Sequence, residues 1–136
     1  MTTVESPCES GLDLGAKLER DTQAAVHARR IVHTFLGDLP RTVPRETAEA
    51  VTLVVSELVT NVVRHARGRL CSLHLRDMGH GVGISVSDDD PEPPRPRRLD
   101  LTGQGGFGWP LVRRLSSELT VLSRPDGKTV HAVVSF

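Results

Sequence analysis

From Arg45 to about Ala66, between Pro44 and Gly68, the chain carries Val51, Val54, Val55, Leu58, Val62 and Ala66 at spacings of three and four. That period lays an apolar stripe along one side of a long helix, with the proline before it and the glycine after it as limits. A helix with one apolar side has to lie on another layer, so the rest of the chain must supply a sheet or further helices. Glu57 and Asn61 stand one i, i+4 step apart at the border of the stripe, close enough to address one ligand. The same spacing also describes the ordinary polar edge of an amphipathic helix, and spacing alone leaves both readings open.

The second layer is legible downstream. Leu70 to Arg76 and Gly81 to Ser87 alternate with a period of two, and Met78-Gly79-His80-Gly81 supplies the turn of an antiparallel hairpin. Val82, Ile84 and Val86 then share one face of the second strand, and the same parity points Asp88 inward at its end. Asp89 points the other way. Leu119 to Ser123 and Thr129 to Phe136 form a second hairpin across Pro125-Asp126-Gly127. A first helix is expected from about Thr22 to Leu36, stopped by Gly37. A third is expected over Trp109 to Leu115, opened by Gly103-Gln104-Gly105-Gly106-Phe107-Gly108 with Pro110 tolerated in its first turn. Residues 1–20 read as a loosely ordered lead-in in which Leu12, Leu14 and Leu18 supply a short edge strand, and 21–136 as one domain. The proline- and arginine-rich stretch from Asp90-Pro91 to about Leu101 is long for so small a domain, which favours a mobile lid over a plain connection.

Composition excludes several classes. Seventeen basic and seventeen acidic residues cancel, so no whole-protein field gathers nucleic acid or anionic membrane. Arg95, Arg97 and Arg98 are interleaved with prolines and lack the stacking aromatics of a single-strand binder. Cys8 and Cys71 stand far apart with no CxxC or Cys/His ligand spacing, which indicates neither a disulfide framework nor a zinc site and fits a reducing cytoplasm. No apolar run of signal-peptide or membrane-spanning length opens the chain, so a cytoplasmic location without membrane contact is expected.

Two nucleotide motifs match only in part. Gly103-x-Gly-x-x-Gly108 satisfies the dinucleotide fingerprint by spacing, but a proline-rich loop separates it from the strand that should precede it directly. Gly127-Lys128-Thr129 looks like the tail of a phosphate-binding P-loop, yet Leu122 stands where the first glycine belongs and a strand follows. Glycines before a helix still favour an anionic phosphate, because free backbone N–H groups and the helix dipole point there.

Taken in order, the Glu/Asn helix border, the strand-terminal Asp88 and the glycine-rich helix start resemble the histidine-kinase-like ATPase superfamily. More closely, over about residues 20–136, the chain is similar to the short anti-sigma-factor serine kinases of bacterial partner-switching systems. Glu57-Leu-Val-Thr-Asn61-Val-Val-Arg-His65-Ala66 is similar to that family's first motif. The resemblance implies a two-layer α/β sandwich with about three helices on one face of a mixed, mainly antiparallel sheet. It implies Glu57 as general base and Asn61 as ligand to Mg²⁺. It also implies Asp88 as the reader of adenine, Gly103, Gly105, Gly106, Phe107 and Gly108 as the phosphate motif, and Thr129 as a further ATP contact.

The implied activity is transfer of phosphate from ATP to a serine of an anti-sigma antagonist. The partners would be that antagonist, a sigma factor or both, with a homodimer as the assembly it allows and no direct contact to nucleic acid. The other reading is a non-catalytic, nucleotide-gated module that sequesters a sigma factor. The chain departs from the family where Asp88-Asp89-Asp90 lacks the usual Asp-x-Gly glycine, and where Phe107 replaces an arginine that many relatives carry.

Overall fold

The computed structural model describes residues 11–65, 70–89 and 108–136. Their order is β1 (Asp13–Glu19), α1 (Ala24–Asp38), α2 (Arg45–His65), β2 (Leu70–Asp77), β3 (Gly81–Asp88), α3 (Gly108–Leu115), β4 (Glu118–Arg124) and β5 (Gly127–Ser135). The five strands form one sheet in the order β1-β2-β3-β5-β4. All four pairings are antiparallel, where a mixed sheet had been allowed for. The connection through α3 carries the chain to the far edge, and β5 turns back from there to lie beside β3. Among the described residues, three helices on an open antiparallel sheet make the expected two-layer sandwich.

Strand β1 lies inside the stretch read as a lead-in. Leu18 is buried and Leu12 and Leu14 pack against the core, so the sheet begins before residue 21. Helix α1 runs through Gly37 to Asp38 and ends at Leu39, whose extended backbone (φ −66°, ψ 145°) is the conformation a residue before proline prefers. Pro40, not Gly37, stops this helix. Its start is delayed to Ala24 because the Asp21 carboxylate accepts a hydrogen bond from the Gln23 N–H at 2.8 Å and turns the chain first.

The core lies between the layers. Val51, Val54, Val55, Leu58 and Val62 of α2 are all buried, and Val59 joins them because α1 and α3 flank the helix on either side. The sheet contributes Leu73 and Leu75 from β2, Val82, Ile84 and Val86 from β3, and Val130, Ala132 and Val134 from β5. Register keeps these on one face: Leu73 faces Val86, and Val86 faces Val130. At one end of the sheet, Asp77 is tied to the connection between α1 and α2, where Arg41 Nη1 donates to Asp77 Oδ1 at 2.7 Å. The Arg41 guanidinium also lies 5.3 Å from the centre of the Phe136 ring. Among the described residues no helix is long and apolar enough to cross a membrane.

Candidate nucleotide site

At the opposite end of the sheet, one row crosses all five strands on the helix side: Leu18, Cys71, Asp88, Lys128 and Ser123. Asp88 is buried, as its parity with Val82, Ile84 and Val86 requires. Its Oδ2 accepts a hydrogen bond from Lys128 Nζ at 2.8 Å, with only 2% and 11% of the two side chains exposed. Paired ions can be held in so dry a place, whereas a lone charge there would be costly. The Cys71 thiol, on the strand beside Asp88, is pushed up to about 12 by burial and then by the charge of Asp88. It is a core thiol and not a nucleophile.

The close approach of β3 and β5 at this row depends on Gly127. A Cβ there would meet the backbone oxygen of Asp88 at 2.1 Å, so only glycine lets the two chains come together and set Lys128 against Asp88. The sequence lacks a glycine two residues after Asp88, and the glycine that lies against the Asp88 backbone comes from the neighbouring strand instead.

Glu57 and Asn61 are both half-buried on the border of α2, beside the fully buried stripe that runs through Leu58. The residue after Asn61 fixes the end of this helix in space: Arg20 Nε donates to the Val62 carbonyl at 3.1 Å, which satisfies one of the carbonyls a helix end leaves open. Arg20 directly follows β1, whose Leu18 begins the row containing Asp88. The Asn61 turn and the buried Asp88 therefore lie at the same end of the domain.

Helix α3 starts at Gly108, the last glycine of the glycine-rich run, and packs on α2. Trp109 is buried in its first turn, and its Nε1 donor finds no acceptor among the described residues. Gly103, Gly105, Gly106 and Phe107 lie outside the described residues, as does the stretch read as a lid.

Thr129 is placed elsewhere. It faces Ser87 across the β3–β5 ladder, on the side of the sheet away from the helices. Its hydroxyl is bonded to Ser87 Oγ at 2.8 Å and accepts from Arg124 Nη1 at 2.6 Å. One step along a strand reverses the face, so Lys128 and not Thr129 meets Asp88. Sequence reasoning missed Lys128 because Gly127-Lys128-Thr129 drew attention only as an incomplete P-loop. The available signal was its parity with Val130, Ala132 and Val134, which set a lysine on the core face opposite an inward aspartate.

The donor set suits a magnesium nucleotide. A buried carboxylate and ammonium can hydrogen-bond a base, and the half-exposed Asn61 amide offers a hard oxygen to a cation. The Trp109 donor, without an acceptor among the described residues, lies at the helix start that the glycine-rich run leads into. Among the described residues no cluster of three or more His, Cys, Asp or Glu forms a dedicated metal cage.

Comparison with known proteins agrees with this architecture. Residues 18–134 match the family model of the histidine kinase-like ATPase domain, and the chain belongs to that family. Among solved structures it is similar to the histidine kinase domain of the blue-light activated histidine kinase EL346 from Erythrobacter litoralis. The two share 24% identity over 82% of this chain, with a TM-score of 0.51. This chain spans 59% of that one, and the likeness is one of fold. No curated protein matched the sequence.

Proposed function

We propose that this domain binds ATP and transfers its γ-phosphate to a serine of an anti-sigma antagonist, as a regulatory protein kinase of the partner-switching kind. Membership of the histidine kinase-like ATPase family supports ATP binding. The observation that carries the reading is the pairing of Glu57 with Asn61, half-buried one turn apart at the end of the domain where Asp88 is buried.

In this reading Asp88 accepts a hydrogen bond from the exocyclic amino group of adenine and orients the base. The Asn61 amide oxygen would hold Mg²⁺, which would neutralise phosphate charge. The serine oxygen attacks the γ-phosphorus as the bond to the ADP oxygen breaks, and Glu57 takes the hydroxyl proton. Little covalent chemistry is asked of the protein, so a carboxylate at the right border of α2 and fixed phosphates are sufficient. The setting is the cytoplasm, with the antagonist and a sigma factor as partners and a homodimer as the assembly.

The test is Glu57→Gln, which keeps the shape and removes the base. The variant should bind ATP as the parent does and lose phosphoryl transfer by roughly 10²- to 10⁴-fold, followed as radiolabel on serine of candidate antagonists. If the parent binds ATP and a sigma factor but labels no antagonist, the protein is a nucleotide-gated sequestering module. Undiminished transfer by the variant removes Glu57 from the role of base.

A further inference from the structure

Arg20 directly follows β1, two residues after the buried Leu18, and strand parity keeps it on the helix side of the sheet. From there its Nε donates to the Val62 carbonyl at 3.1 Å, across 42 residues of chain. The anchoring end of this bond is fixed. Glu19 is paired with Leu70, and its carbonyl accepts from the Asp21 N–H at 2.9 Å. Asp21 in turn accepts from the Gln23 N–H at 2.8 Å through its carboxylate and from the Ala24 N–H at 3.2 Å through its carbonyl. The backbone on either side of Arg20 is therefore held between the sheet and the start of α1.

The receiving end is the last turn of α2, which finishes at His65. The last four carbonyls of a helix lack partners within it, and a terminal turn opens more readily than the middle of a helix. Asn61 belongs to that turn, because the i, i+4 ladder closes its own carbonyl only with the N–H of His65. Glu57 lies one turn deeper, and Asp88 lies on the sheet, outside the reach of such an opening.

We propose that Arg20 is a positioning residue for the nucleotide site: its bond to the Val62 carbonyl holds the last turn of α2 against the edge of the sheet and so sets the Asn61 amide for a cation. Arg20 acts through Asn61 and not on the nucleotide. Affinity that depends on Mg²⁺ therefore depends on Arg20, whereas affinity supplied by Asp88 does not. This inference rests on the reading that Asn61 holds Mg²⁺.

The experiment is calorimetric titration of the whole chain with ATP, in Mg²⁺ and in EDTA, for the parent and three variants. Arg20→Gln ends in an amide nitrogen as many bonds from the backbone as Arg Nε, so it keeps the donor and loses the charge. Arg20→Lys keeps the charge and has a methylene at that position, and Arg20→Met keeps neither. The gain in ATP affinity on adding Mg²⁺ should fall about tenfold in Arg20→Met and Arg20→Lys, the scale of one lost hydrogen bond, and should stay within about threefold of the parent in Arg20→Gln. Affinity in EDTA should be the same in all four. In the nucleotide-free protein, amide exchange at residues 63–65 should be about tenfold faster in Arg20→Met, with Val54 and Val55 unchanged. If Arg20→Met does not fold, Arg20→Lys makes the same comparisons.

An unchanged Mg²⁺ gain in folded Arg20→Met and Arg20→Lys overturns the proposal and leaves the Asn61 reading intact. Equal losses in Mg²⁺ and in EDTA overturn it too, because they mark a general loss of structure. Retention by Arg20→Lys with loss by Arg20→Gln also overturns it, since the charge would then act on the phosphates directly. A parent whose ATP binding gains nothing from Mg²⁺ overturns both the proposal and the reading beneath it.

Discussion

Asp88 and Thr129 lie on opposite faces of the sheet, although Thr129 is the immediate neighbour of the lysine that Asp88 holds. The hydroxyl of Thr129 is taken up by Ser87 and Arg124 on the outer face. Thr129→Ala should therefore leave nucleotide affinity unchanged and cost about 1 kcal/mol of stability, the scale of hydrogen bonds that are partly open to water. Titration of the variant with ATP checks this, and a marked loss of affinity would place Thr129 in the site after all.

The buried Asp88–Lys128 pair is a structural commitment of the fold. Asp88→Asn leaves a lysine that is 11% exposed without that counter-charge, which should cost about 3 kcal/mol in urea unfolding. Removing both charges in Asp88→Asn/Lys128→Met should recover part of the loss, because the ammonium that the Asp88 carboxylate balanced is then gone too. Equal stability of the single variant and the parent would mean that the pair is not held in a dry environment.

At the other end of the sheet, Asp77 sets the acid side of the stability profile. Its carboxyl lies below its ordinary 3.8, chiefly through the hydrogen bond from Arg41, with a further bond from the Gly79 N–H. A depressed native value stabilises the folded state fully above the unfolded value, and that stabilisation is lost as pH falls through the native one. Unfolding free energies of the parent should thus drop below about pH 4. Asp77→Asn should be less stable at pH 7 by about 2 kcal/mol, and the gap should narrow toward pH 2. A gap that stays constant from pH 7 to pH 2 would contradict the assignment.

What the sequence disclosed follows from periodicity. The stripe on α2 and the alternation on β3 fixed which sides are buried, and from them came the border position of Glu57 and Asn61 and the inward direction of Asp88. Periodicity does not reveal which residue on a distant strand stands opposite. Lys128 was invisible as the partner of Asp88 until the register of β3 with β5 was known, which sets Thr129 opposite Ser87 on the other face. Ends of elements depended on competing local signals. Gly37 suggested a stop, but Pro40 and the extended Leu39 before it decided where α1 ends. Edge strand β1 was legible from Leu12, Leu14 and Leu18, whereas its place beside β2 depends on pairings far apart in sequence.

The central claim is that the end of the domain bearing Asn61 and Asp88 binds a magnesium nucleotide. The most direct measurement is calorimetric titration of the parent and of Asn61→Ala with ATP, in the presence of Mg²⁺ and in its absence. The parent should give saturable binding that weakens without Mg²⁺. Asn61→Ala should lose the Mg²⁺-dependent part and keep its thermal midpoint, because a half-buried border residue contributes little packing. No binding of ATP by the parent, or a folded Asn61→Ala that binds MgATP as tightly as the parent, would contradict it.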